Sequence, residues 1–345
     1  GRDVQLSQTK SIERYFFGED IRRVSHEHVG RLSFPERSTA MYISRFLQSI
    51  NIESIRERHF RLLVDHSFGL ASTAFPQILG ELECRTLSMN DYVDSAHFAD
   101  PLAEVLDESA TIMRSLGYQI GFKINPGAEK IALVDERGIW YTSQRLLTIV
   151  TKLFLESHRD REPYRIAVPV QSTHEIEAIA APFNVEIIRI RNSHSAMMEA
   201  TKDPTVAFVG GTRGGFIFPE FLNASDGMYT AVKILEMLSK TGYQLSQLDA
   251  ELPKRHQVTR SVGCSYEQRG TVMRHAMEYS EGKQRMLVDG VRILEDDVTV
   301  LLLPHKEEEL FVVMAEADDV KMAQKACDHY AELVSHWRFG RNDGH

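Results

Sequence analysis

Cysteine is scarce. Cys84, Cys264 and Cys327 are the only three in 345 residues, widely spaced and odd in number, which argues against a disulfide framework or a zinc knuckle and for buried, reduced thiols. An excess of positive charge is also lacking. With 40 Lys and Arg against 49 Asp and Glu the formal charge is −9, and no locally basic face stands out to meet a phosphate backbone, so nucleic acid is not an expected partner. No apolar run reaches the roughly 20 residues that cross a bilayer. The polar start, Gly1 to Lys10, has neither the basic opening nor the apolar stretch of a secretory signal. The expectation is a cytoplasmic protein with no membrane partner. Repeats of fixed short period and low-complexity tracts are missing, as are a serine-hydrolase elbow, a Walker loop and a dinucleotide glycine fingerprint in the required strand-turn-helix setting. What is present, 43% hydrophobic and 26% charged residues, is the composition of folded globular domains. The length predicts two or three domains of roughly 100–150 residues each.

The periodicity sorts the chain into segments. A helix is expected over Ser7 to Phe17, a short extended piece over Val29 to Phe34, and then a helix opened by Pro35, with Met41, Ile43, Phe46, Leu47 and Ile50 at helical spacing. From Phe60 the rhythm becomes βα: a strand at Leu62–Val64, a turn at Ser67–Gly69, a helix through Leu82 and a strand near Thr86–Ser88. This alternation predicts a parallel sheet with crossover helices. A helix from about Pro101 to Leu116 should end at Gly117, followed by strands at Tyr118–Phe122, Lys130–Asp135 and Ile139–Tyr141 and a helix at Ser143–Glu156. After a charged linker ending at Pro163, a second βα unit begins: a strand at Arg165–Val170, a helix at Ser172–Phe183 capped by Ser172 or Thr173, and strands at Val185–Ile190 and Val206–Val209. Gly210 to Gly215 forms a glycine-rich turn, and Asp226-Gly227 caps a long helix that ends at Gly242. Beyond Gln257, a strand, a helix, three strands (Met286–Leu294, Val298–Leu303, Phe311–Glu316) and a last helix, Val320–Trp337, predict an antiparallel sheet covered by helices on one face. The fold class is therefore α/β, with mixed, mainly parallel sheets, plus a C-terminal α+β domain with an antiparallel sheet.

Phe218 to Leu252, with Asp226-Gly227 opening the helix through Lys240-Thr241-Gly242, resembles the third domain of the phosphohexomutases, the phosphomannomutase and phosphoglucomutase family. Arg61-Leu62-Leu63-Val64-Asp65 with Gly69, and Ile131 to Gly138, resemble the strands that open and close that family's second domain. Tyr15 to Asp20 and Leu32 to Pro35 further resemble the module fused behind a mannose-1-phosphate guanylyltransferase type of nucleotidyltransferase. The resemblance implies residues 1–37 as the tail of a first domain, 38–157 as the second, 158–256 as the third and 257–345 as the fourth. It implies a sugar phosphate or nucleotide sugar as ligand and a nucleotidyltransferase domain in the same natural chain. It leaves a homo-oligomer open.

In that family a phosphoserine of the first domain carries the phosphoryl group and a carboxylate-held Mg2+ neutralises charge as it moves. A third-domain loop orients the sugar, and a last-domain loop grips the substrate's phosphate. The metal loop, normally three alternate aspartates, here places Asn125, Gly127 and Glu129, which should hold Mg2+ poorly. The sugar loop, normally with glutamate, serine and histidine, reads Gly211-Thr212-Arg213-Gly214-Gly215; Arg213 and the backbone could still meet an anion. His194 stands where the family has a short loop ahead of a helix. His305 and Lys306 stand in the last-domain loop, beside three glutamates that would repel a phosphate. Asp91, Asp94, His97 and Asp100, spaced by three, read as an irregular loop rather than a metal site. These substitutions predict a catalytically degenerate module with a structural or regulatory role and no cofactor of its own. The alternative is an active mutase that moves a phosphoryl group between C1 and C6 of a hexose, with Mg2+ and the first-domain phosphoserine.

Overall fold

The computed structural model describes all residues except 1–3, 5, 20–22, 34–36, 98–106 and 341–345. Pro35, Asp100 and Pro101, which figure in the expectations above, lie outside the described residues. Helix α1 (Leu6–Phe17) stands at the start. Val29 to Ser33 form no strand. Helices α2 (Ser38–Gln48) and α3 (Ile52–Arg56) follow, and α2 buries Ile43 and Phe46 while Met41 faces solvent.

The first sheet takes β1 (Arg61–Asp65), β2 (Arg85–Met89), β3 (Ile120–Ile124), β4 (Ile131–Asp135) and β5 (Trp140–Tyr141) in the order β2-β1-β3-β4-β5. Helices α4 (Phe75–Glu81) and α5 (Asp107–Leu116) are its crossovers, and Gly117 closes α5 at φ +64°. Strands β2, β1 and β3 are parallel as expected, but β4 and β5 run antiparallel. The reason is connection length. Only the six residues 125–130 separate β3 from β4, too few for a parallel crossover.

Helix α6 (Ser143–Ser157) leads to the second sheet: β6 (Arg165–Pro169), α7 (Glu175–Ala180), β7 (Glu186–Ile190), α8 (His194–Ala200), β8 (Val206–Gly210) and β9 (Phe216–Ile217). Its order is β7-β6-β8-β9, with β9 antiparallel. Helix α7 is shorter than its pattern suggested. Thr173 spends its side-chain oxygen on the Glu175 N–H at 3.1 Å, and His174 stands at the cap position without a side-chain capping bond, its ring turned to Glu177 instead.

Helix α9 (Gly227–Thr241) is the spine of the molecule. It buries Tyr229, Ala231, Val232, Ile234, Leu235 and Leu238, and packs against α3, α6, β3, β4 and β9. A helix apolar on nearly all sides belongs between layers, and each large side chain fully buried there contributes roughly 1.5–3 kcal/mol. One continuous core accordingly runs from Ile43 to Leu252 through both sheets. Its buried Lys233 is held by Glu220 at 2.7 Å and Glu236 at 2.6 Å. Asp226 caps α9 by accepting the Tyr229 N–H at 2.9 Å, and Gly242 ends it at φ +76°.

After α10 (Leu245–Glu251) comes a separate core and an antiparallel sheet: β10 (His256–Gly263), α11 (Arg269–Tyr279), β11 (Gln284–Leu287), β12 (Val291–Glu295), β13 (Val298–Pro304) and β14 (Leu310–Ala317), ordered β10-β14-β13-β12-β11. Helix α12 (Val320–Trp337) covers β10 and β14. The single strand expected over Met286–Leu294 is a hairpin, because Asp289 takes φ +56° and turns the chain.

Candidate functional site

The C-terminal edge of a parallel sheet is where α/β folds place their ligands, and here three loops meet on that side. The turn after β8 is closed by Gly211 N–H donating to the Gly215 carbonyl at 2.9 Å. Gly214 sits at φ +79°, and a Cβ there would overlap the carbonyl oxygen of Ile131. Only glycine fits. That approach lets Ile131 N–H donate to the Gly214 carbonyl at 2.9 Å and brings Lys130 opposite Gly215 in a single antiparallel bridge. The glycine-rich turn is thus a seam between the two α/β units. Gly227 N–H adds a 2.8 Å bond to the Ala128 carbonyl, and Tyr42 donates its hydroxyl to Asp226 at 2.7 Å. Burial raises both the Tyr42 phenol and the Asp226 carboxyl above their ordinary ranges.

Beside that seam lies a cavity of about 280 Å³ lined by Lys130, Asn192, Ser193, His194, Met197, Gly211, Thr212, Arg213, Gly215, Ser225, Lys306 and Glu307. Five expected site residues therefore share one wall: His194, Gly211, Thr212, Arg213 and Lys306. Gly214 stands behind them as the hinge of the turn. Ser193 caps α8 by accepting the Ala196 N–H at 3.2 Å, which fixes where His194 leaves the loop. The C-terminal domain delivers Lys306, whose ammonium donates to the Asn192 carbonyl at 3.0 Å, while Asp289 accepts the Asn192 N–H at 3.1 Å.

A buried polar joint sets that domain in place. Glu316 accepts from the Thr173 hydroxyl at 2.5 Å and from the His174 N–H at 3.1 Å. Arg292 donates to the carbonyls of Val170 and Ser172 at 2.7 and 3.1 Å. Arg189 is clamped by Glu177 at 2.5 Å. Burial opposes ionisation of Glu177, but hydrogen bonds from His174 and Arg189 outweigh it and hold the carboxyl down at about 2.

Four of the expected residues are elsewhere. Asn125 turns its side-chain oxygen into its own loop, accepting the N–H groups of Glu129 at 2.9 Å and Lys130 at 2.7 Å, and Gly127 contributes only backbone. Glu129 is exposed and is the one carboxylate there. His305 is also taken up locally, its Nδ1 accepting the Glu308 N–H at 3.0 Å. Among the described residues no group of three His, Cys, Asp or Glu side chains is arranged to hold a metal ion. The loop Asn125–Lys130 therefore does not fit a magnesium ion, whose octahedral shell wants carboxylate oxygens free to turn toward it.

Sequence reasoning missed Lys130, Asn192, Ser193 and Ser225. Lys130 and Ser225 come from segments on either side of the seam, so only the fold joins them. A wider concavity of about 750 Å³, lined in part by Arg165, Glu186 and Asp203, opens at the opposite, N-terminal edge of β6 and β7. Its arginine is already paired with Glu186 at 2.8 Å and Asp203 at 3.0 Å, so the smaller cavity is the better candidate.

Known proteins agree with this architecture. Residues 40–138 match the family model for phosphoglucomutase/phosphomannomutase alpha/beta/alpha domain II, and residues 142–256 match domain III. A phosphoglucomutase/phosphomannomutase of Thermococcus kodakarensis is 26% identical over 338 residues, covering 96% of this chain and 72% of the relative. The phosphoglucosamine mutase of Methanocaldococcus jannaschii is 23% identical over 344 residues, covering 97% and 75%. Among solved structures, a phosphoglucomutase/phosphomannomutase family protein of Burkholderia thailandensis superposes with a TM-score of 0.79 at 17% identity, over 99% of this chain and 72% of that one. The N-acetylphosphoglucosamine mutase of Aspergillus fumigatus, in complex with GlcNAc-6P and magnesium, gives a TM-score of 0.61 at 11% identity, over 89% and 72%. With two domain models matched in the family's order along one continuous core, the chain belongs to the phosphohexomutase superfamily.

Proposed function

We propose that this chain is the sugar-phosphate-handling part of a phosphohexomutase, serving transfer of a phosphoryl group between C1 and C6 of a hexose or hexosamine through a phosphoserine of a first domain. The observation that carries the reading is the cavity itself: loops from two α/β units and from the C-terminal domain converge on it and give it three cationic side chains, Lys130, Arg213 and Lys306. Relatives aligned over nearly the whole chain are named as mutases of glucose, mannose and glucosamine phosphates, and these are the first substrates to test. In this reading residues 1–37 belong to the first domain, 38–157 and 158–256 to the second and third, and 257–345 to the fourth. The test is a coupled assay of 1-phosphate to 6-phosphate interconversion, run on the product of the natural reading frame that contains these residues. Turnover lost with Arg213→Ala and Lys306→Ala supports the proposal. Turnover indifferent to both variants contradicts it.

A second reading, a module that binds phosphosugars without transferring phosphoryl groups, is favoured by one observation: the Asn125 side chain is committed to its own loop. It predicts sugar-phosphate binding with no interconversion. The nucleotidyltransferase partnership rests only on Tyr15–Asp20 and Leu32–Pro35 and is carried no further.

A further inference from the structure

We propose that one water molecule is bound as a fixed part of the joint between the second α/β unit and the C-terminal sheet, hydrogen-bonded at once to the Arg292 guanidinium, the Ser172 hydroxyl and the Thr299 hydroxyl. The inference is independent of the phosphosugar reading. It starts from three side-chain atoms that the direct contacts of the joint leave over. Arg292 Nη2, Ser172 Oγ and Thr299 Oγ1 are each buried and have no hydrogen-bond partner among the described residues. Ser172 comes from the loop between β6 and α7, Arg292 from β12 and Thr299 from β13, yet all three line one small cavity. A lone atom of this kind would say little. Three in one wall make a site, because each buried polar atom left without a partner costs free energy.

Size and charge identify the occupant. The cavity measures about 10 Å³, the room that a single water needs and far less than an organic ligand fills. Arg292 spends Nη1 on the Val170 and Ser172 carbonyls, and burial, with Arg189 nearby, pushes its guanidinium down to about 10. Its charge keeps a cation out. The Glu316 carboxylate stands in the same wall and disfavours a halide. What fits is a neutral molecule that accepts from a guanidinium and exchanges either role with two hydroxyls, and water does both.

The position gives the water a task. Ser172 belongs to the α/β unit, Arg292 and Thr299 to the C-terminal sheet, so the bridge crosses the joint beside the apolar contact of Val170 with Leu301 and Leu303. It also stands close to the larger cavity. Gln171, in the wall of the small cavity, accepts from the Asn192 side-chain amide, and the Asn192 carbonyl holds Lys306.

The test joins a high-resolution crystal structure of the whole chain, from crystals soaked in bromide, to a double-mutant cycle measured by urea denaturation. The bridge predicts one peak within hydrogen-bond distance of Arg292 Nη2, Ser172 Oγ and Thr299 Oγ1, without anomalous bromide signal. Ser172→Ala and Thr299→Val should each lower the urea midpoint, and the double variant should fall by clearly less than the two shifts added, since the first substitution already loosens the water that serves both. Ser172 and Thr299 share no direct hydrogen bond through these hydroxyls, so that coupling is a readout that two separate local roles would not give. Both substitutions are small, and the wild-type circular dichroism spectrum should be retained. An anomalous bromide peak overturns the water in favour of an anion, an empty cavity overturns the site, and strictly additive variants overturn the bridge. Each of these failures leaves the 1-phosphate to 6-phosphate assay to decide the phosphosugar reading by itself.

Discussion

Substituting Gly214 with alanine perturbs the seam at its tightest point. The residue sits at φ +79°, where alanine is destabilised by about 1–2 kcal/mol relative to glycine. The new Cβ would also overlap the Ile131 carbonyl oxygen, a backbone atom inside β4 that cannot swing aside. The strands must then separate, and the Ile131 to Gly214 hydrogen bond, 2.9 Å in the native protein, is lost for about another 1 kcal/mol. Gly214→Ala should therefore destabilise the two-sheet unit by about 2–3 kcal/mol, read as a lowered urea midpoint by circular dichroism. Sugar-phosphate affinity should fall with it, because Arg213 and Lys130 ride on the two sides of the seam. A shift under about 0.5 kcal/mol, the size of an ordinary surface substitution, would refute the reasoning and leave the turn a freely deformable loop.

Two further outcomes are expected. Asp226→Ala removes the cap of α9 and the acceptor for the Tyr42 hydroxyl and should destabilise by about 2 kcal/mol, with Tyr42→Phe recovering part of that loss in a double-mutant cycle measured by urea denaturation. Glu177, whose carboxyl is held down at about 2 in the folded protein, contributes stability that is present above its unfolded value near 4.5 and lost as pH falls toward 2; Glu177→Gln should flatten that part of a stability-versus-pH curve, and an unchanged acid limb would contradict the clamp on Arg189.

Most of the fold was legible because its signals are local. Asp226 and Gly242 bracket α9 as cap chemistry requires, and the spacing of Val320–Trp337 matches α12 residue for residue. Misses occurred where a short-range pattern has two solutions. The apolar run 286–294 reads as one strand, yet Asp289 breaks it into a hairpin, and the reversal of β4 is set by a six-residue connection rather than by its own residues. Of the site, His194, Gly211, Thr212, Arg213 and Lys306 were named from position in a resembling family, and the fold gathers them. His305, Asn125 and Glu129 carry equally suggestive side chains, but their partners are backbone groups within their own loops or solvent. Residue type alone does not reveal that. Ser225 gave no signal, since an isolated serine becomes a candidate only when burial leaves its hydroxyl without a partner.

The most direct test of the central claim, that phosphosugar is handled in the cavity between the seam and the C-terminal domain, is a crystal structure of the chain grown with glucosamine 6-phosphate. The account predicts the phosphate within hydrogen-bond distance of Arg213 and Lys306, with the sugar against Thr212 and His194. The ligand seated at the Arg165 concavity, or a cavity empty under saturating ligand, would contradict it.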